Sequence, residues 1–126
     1  MKRKDVDAFE KTQAQMEALH EEVAALARKT PNDAVNKFKL GLINKVVQAA
    51  NRLLNDAYRP FVDFDSFDEN SLPTTSDVIL ILAQYLNCLE KYRADNIHFD
   101  GDLWYWRTDR SQESIQTAPP KKLKEK

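Results

Sequence analysis

Residues 34–55 read AVNKFKLGLINKVVQAANRLLN and carry the clearest pattern in this 126-residue chain. At about 100° of rotation per residue, the apolar side chains fill one broad arc that runs from Phe38 round to Leu40. The opposite arc carries Gly41 and only amides and cations, namely Lys37, Asn44, Lys45, Gln48, Asn51, Arg52 and Asn55. No acidic residue occurs in the segment. The pattern predicts an amphipathic helix whose polar arc binds either a partner's anionic groups or carboxylates of the chain itself.

Composition indicates a single globular domain. Hydrophobic residues make up 42% of the chain and charged residues 31%, which is typical of a protein with its own core. The two glycines argue against an all-β fold and a glycine-rich phosphate loop. A net charge of −1 means that nucleic-acid binding would have to depend on a local patch. The single cysteine fits a reducing compartment, and we expect a cytoplasmic location without a secretory signal or membrane span.

The first helix is predicted over residues 5–28. Its apolar stripe is narrow and follows alternating three- and four-residue spacing, as in a coiled-coil seam. About three heptads are marginal as an isolated coiled coil, so the stripe should pack on the rest of the domain or on a second copy. A homodimer is the favoured oligomer, with the self-association residues Phe9, Met16, Leu19, Val23 and Leu26.

Two further helices are expected. Thr30 and Pro31 are a typical N-cap and first-turn pair, so the second helix is predicted over residues 31–55, antiparallel to the first. The third is predicted over residues 77–95 and is apolar almost all round in its first half, as in a central helix. Between them, the acidic loop at 63–69 should be held by phenylalanines that enter the core, while its acids stay in solvent.

The C-terminal region predicts a small hairpin and a tail. Asp100 and Gly101 form a favoured two-residue turn within residues 97–106. The expected fold is mainly α: an antiparallel helical hairpin packed on a third, central helix, with a short C-terminal β-hairpin. Residues 1–107 form the helical domain, and residues 108–126 form a flexible polar and basic tail.

No pattern indicates catalysis or metal binding. His98, Asp100 and Asp102 alternate, but the Asp-Gly turn already explains Asp100. The acidic loop lacks the glycine and closing glutamate of a calcium-binding loop. We expect Cys88 to be a small buried side chain within an apolar stripe, not a nucleophile. No catalytic residue, metal, cofactor or small-molecule substrate is therefore predicted.

Two functional hypotheses remain. The first is a non-enzymatic protein-interaction module, a small self-associating adaptor or regulatory subunit. Its partner-binding residues would be Lys37, Asn44, Lys45, Gln48, Asn51, Arg52, Trp104, Tyr105 and Arg107. The alternative is nucleic-acid binding, with the same helical arc, Arg107, Arg110 and the lysine tail on phosphates and an aromatic ring stacked on a base. The polar arc could equally be solvated or paired with the chain's own acidic loop, and the aromatic residues could close the core.

Overall fold

A computed structural model describes residues 1–108 and 114–122 and has a mainly α architecture, which confirms the predicted fold class. The elements in chain order are helices α1 (Arg3–Lys29), α2 (Lys37–Tyr58) and α3 (Thr75–Asp95), followed by strands β1 (Ile97–Asp100), β2 (Leu103–Trp106) and β3 (Gln116–Thr117). The three strands form one antiparallel sheet in the order β1-β2-β3. Within the described residues, no helix is both long enough and apolar enough to cross a membrane.

The start of α2 differs from the prediction. The helix begins at Lys37, where the side chain of Asn36 caps it by accepting a 2.8 Å hydrogen bond from the Lys39 backbone. The predicted cap, Thr30, instead ends α1 and donates its hydroxyl to Leu26 at 3.1 Å. Residues 31–36 are not helical because their backbone bonds to the segment that precedes and starts α3, for example from Val35 N–H to the Pro73 carbonyl at 2.9 Å.

The core lies between the three helices, and the sheet closes one end. Fully buried apolar side chains come from every helix: Phe9, Met16, Leu40, Val47, Leu82 and Leu89. Trp106 of β2 is also buried, with its ring edge-on to Phe9 at 5.2 Å between centroids. The expectation that an aromatic side chain of the hairpin closes the core therefore holds at Trp106.

Helix α2 is rolled relative to the arc expected from its sequence. Its buried side chains are Leu40, Ile43, Asn44, Val46, Val47, Ala50 and Leu54. At 100° per residue, this buried arc is displaced by roughly 60° from the apolar arc of the sequence. Phe38 and Leu42, expected inside, are 77% and 45% exposed, whereas Asn44, expected in solvent, is only 7% exposed.

The hairpin forms as predicted, and a third strand joins it. Gly101 occupies the turn with φ of 77°, a conformation that favours glycine. Strand β3 lies within the segment expected to be a tail and pairs Trp104 with Thr117. Three basic tail residues of the nucleic-acid hypothesis, Arg110, Lys124 and Lys126, lie outside the described residues.

Candidate interaction surface

Two asparagines predicted to contact a partner instead bind the chain's own loop. The Asn44 side-chain amide donates to the Phe67 carbonyl at 2.9 Å and accepts from the Phe67 N–H at 2.8 Å. It thus pairs with both backbone groups of Phe67, as the backbone of an adjacent β-strand would. About two turns further along the same stripe of the helix, Asn51 donates to the Asp65 carbonyl at 3.1 Å and accepts from the Tyr85 hydroxyl at 2.6 Å. Burial raises the pKa of Tyr85, which keeps this hydroxyl protonated as a donor. These amides hold the loop and compensate for the burial of polar groups.

The loop that covers this flank is fixed at its phenylalanines and at Arg59. Phe67 is buried and packs edge-on against Phe64 at 5.1 Å between centroids, whereas Phe61 remains exposed. The expectation that the loop's phenylalanines enter the core thus fails for Phe61. Arg59 donates to the Phe64 carbonyl at 2.6 Å and to the Asp65 carboxylate at 3.0 Å. The loop therefore pairs with the residue that ends α2, not with the cations along the helix.

The rest of the polar arc stays in solvent beside apolar side chains. We call this surface the outer arc; it comprises the side chains of Lys37, Phe38, Leu42, Lys45, Gln48 and Arg52. Among the described residues, no carboxylate lies within 4.0 Å of its three cations. Asp68 and Glu69 stand across an open groove of about 480 Å³ from Lys37 and Lys45, without an ion pair to either. The cations are thus available to another molecule.

An apolar groove between α1 and α2 continues from the outer arc. It has a volume of about 230 Å³ and is lined by Leu19, Glu22, Val23, Leu26, Val35, Phe38, Lys39, Leu42 and Ile43. Of the predicted self-association residues, Phe9 and Met16 are fully buried in the chain's own core. Val23 is buried in the groove, while Leu19 and Leu26 are half-buried at its edge. Only the second half of the α1 stripe therefore borders an accessible surface.

The aromatic residues predicted to bind a partner belong to the sheet. Trp104 is half-buried and lies 5.5 Å from Phe99 between ring centroids. Tyr105 is half-buried with its ring 6.3 Å from that of His98, and the exposed Arg107 follows at the end of β2. Apart from Asn44 and Asn51, which bond to the loop, the structure thus divides the predicted partner-binding residues between the outer arc of α2 and a separate cluster on and directly after β2.

The sequence interpretation missed a buried ion pair that holds the C-terminal segment. Arg93 donates to both carboxylate oxygens of Glu90, at 2.9 and 2.8 Å, and its remaining N–H groups bind Thr117, Ala118 and Pro119 at 2.9 Å. Burial alone would raise the pKa of Glu90, but the bonds from Arg93 and the Lys121 backbone hold it below its ordinary 4.5. The three-residue spacing of Glu90 and Arg93 indicates a helical pair. It gives no sign of the segment that the pair binds.

Within residues 1–108 and 114–122, no three His, Cys, Asp or Glu side chains cluster closely enough to hold a metal ion. Burial raises the pKa of the Cys88 thiol, which lowers its reactivity at neutral pH.

Comparison with known proteins does not assign the chain to a family. No protein-family model, curated protein or solved structure matches the chain.

Proposed function

We propose that the chain is a non-enzymatic protein-interaction module, a small adaptor or regulatory subunit, which docks a partner protein on the outer arc of α2. The observation that carries the proposal is the exposure of Phe38, at 77%, beside Leu42, at 45%. Residues four apart on a helix are neighbours, so the two side chains form one apolar surface. Contact with another protein removes this surface from water.

The surrounding charges define the chemistry of the partner. Lys37, Lys45 and Arg52 have no carboxylate partner within 4.0 Å in the described part of the chain. An amphipathic helix with apolar residues on one face and acidic residues beside them would complement both parts of the outer arc. The proposed setting is the cytoplasm, where the lone Cys88 would remain reduced.

Fluorescence anisotropy with a labelled helical peptide of leucine and glutamate tests this proposal. We expect saturable binding that Phe38→Ser weakens about tenfold or more, because the apolar contact is lost. The combined variant Lys45→Glu and Arg52→Glu should also weaken binding of the peptide, and the loss of affinity should grow as the salt concentration is lowered. The matched control is Leu80→Ser on α3, where the wild-type side chain is 61% exposed but lies away from the outer arc.

A control for charge comes from α1. Lys4 and Lys11 are both exposed there, so Lys4→Glu combined with Lys11→Glu changes the net charge equally without touching the outer arc. Absence of binding, or equal weakening by either control, would contradict the proposal.

The same titration with a single-stranded oligonucleotide examines the nucleic-acid alternative. That alternative requires affinity that falls steeply with salt, depends on Lys45 and Arg52, and is indifferent to Phe38→Ser. The carboxylates of Asp68 and Glu69 border the cations and repel phosphate and acidic side chains alike, so the response to Phe38→Ser is what separates the two hypotheses. If the oligonucleotide binds more tightly than the peptide at physiological salt, nucleic-acid binding replaces the proposed function.

A further inference from the structure

The apolar groove carries opposite charges on its two walls. Glu22 projects from α1 and Lys39 from α2, and both side chains are exposed. In the described part of the chain, neither has an oppositely charged group within 4.0 Å. Between them lie the buried Val23 and Val35. A molecule that fills this groove therefore meets an acid on one side and a cation on the other.

We infer that the groove is occupied by a second copy of this chain, in a two-fold symmetric contact. The inference rests on the proposed function, because Phe38 and Leu42 belong to both the outer arc and the groove. In a two-fold contact, residue i of one protomer meets residue j of the other and the reverse contact forms as well. Glu22 of each protomer then lies against Lys39 of the other.

The charges favour a copy over other occupants. An acidic segment placed in the groove is attracted by Lys39 but repelled by Glu22, and a basic segment meets the opposite conflict. A second copy brings the same two charges in reversed order, so both are matched at once. The pattern is thus self-complementary, as a two-fold interface requires.

The groove also has room for the side chain that projects beside it. A closed apolar cavity of about 150 Å³ is sufficient to bind benzene. The groove has a volume of about 230 Å³, which accommodates the ring of Phe38 from another protomer. Insertion in both directions would cover the most exposed aromatic side chain of each copy.

Sedimentation of the full chain over a wide range of concentration tests the contact. We expect a species of twice 14.6 kDa that dissociates on dilution. Phe38→Ser should raise the dimer dissociation constant by at least about tenfold. Leu80→Ser should leave it unchanged. Circular dichroism of each variant checks that it folds, which is expected because both side chains are largely exposed.

Two charge variants locate the interface between protomers. Glu22→Lys alone and Lys39→Glu alone should each weaken self-association, because the contact then joins like charges. Mixed together, the two variants should form a heterodimer, since each groove then meets its opposite charge across the interface. A charge effect inside one protomer does not produce this result. Glu10→Lys mixed with Lys11→Glu, both on exposed α1 positions, should show no preference.

The outcomes separate this inference from the proposed function. A chain that stays monomeric, or a dimer that Phe38→Ser and the charge variants leave unchanged, overturns the inference. If the acidic peptide still binds in that case, the proposed function stands without it. If the mixed variants pair as expected but the undimerised Glu22→Lys variant, whose outer arc is intact, binds no acidic peptide, the second copy is supported and the separate acidic partner is rejected.

Discussion

Replacing Asn44 by alanine tests whether one buried amide fixes the roll of α2. The side chain is 7% exposed and bonds to both backbone groups of Phe67, itself buried in the loop. The variant leaves a carbonyl and an N–H without partners where water is largely excluded. Each buried polar group without a partner costs about 1–3 kcal/mol. For the two groups together, we therefore expect the free energy of unfolding to fall by about 2–6 kcal/mol.

Urea unfolding followed by tryptophan fluorescence measures this loss, since Trp106 is buried in the core. The denaturant dependence should stay the same, so the effect appears as a lower midpoint. The matched control is Gln48→Ala on the exposed side of the same helix, which should change stability by less than about 0.5 kcal/mol.

Hydrogen exchange adds a local measurement at Phe67. Its N–H donates to the Asn44 side-chain oxygen, so it should exchange faster in Asn44→Ala. Asn44→Asp keeps that acceptor but loses the donor to the Phe67 carbonyl, and should destabilise the chain while protecting this amide. A loss in Asn44→Ala no larger than in Gln48→Ala, or unchanged exchange at Phe67, would refute the reasoning.

Three further changes have expected outcomes. Arg93→Ala leaves the Glu90 carboxylate buried without its cation and should lower the free energy of unfolding by about 3–5 kcal/mol in urea, more than Arg93→Lys does. Gly101→Ala should lower the melting temperature, because a φ of 77° imposes a backbone strain of about 1 kcal/mol on alanine. No atom lies within 4 Å of the added methyl group, so a steric clash adds nothing to this cost. Gly101→Asn should cost less, because asparagine tolerates positive φ better. The folded-state pKa of Glu90 lies below 4.5, so the ionised carboxylate contributes fully to stability above that pH, and this contribution is lost as the pH falls through the folded-state pKa. The urea midpoint of Glu90→Gln should therefore fall less steeply with decreasing pH than that of the unmodified chain.

Most elements could be predicted because their signals are local. The third helix starts at a capping box, in which the Thr74 hydroxyl accepts from the Asp77 N–H and the Asp77 carboxylate accepts from the Thr74 N–H. Gly101 supplies the positive φ of the hairpin turn. Thr30 and Pro31 give an equally plausible local signal for the start of α2, yet the segment after them bonds to residues some forty positions away. Contacts at that distance leave no periodic pattern.

The site was only partly predictable, since its geometry depends on which side of α2 is buried. The broad apolar arc contains more residues than one face can bury, so hydrophobicity alone leaves the roll undetermined. Hydrogen bonds from Asn44 and Asn51 to the loop decide it. Their seven-residue spacing places them on one stripe of the helix and was the available signal. Strand β3 had no comparable signal, because two polar residues show no alternation.

The roll of α2 that buries Asn44 also exposes Phe38 and Leu42, and the energies involved indicate what kind of contact could use this apolar pair. Burying Phe38 and Leu42 from their present exposure would contribute about 2–4 kcal/mol, given about 1.5–3 kcal/mol for a fully buried side chain. Association costs at least about 4 kcal/mol in lost translational and rotational freedom, so this pair alone does not hold a partner. A two-fold contact forms every interaction twice and raises the apolar term to about 4–8 kcal/mol. A partner that binds only one copy must gain the difference elsewhere, and the cations of the outer arc are the groups available for it.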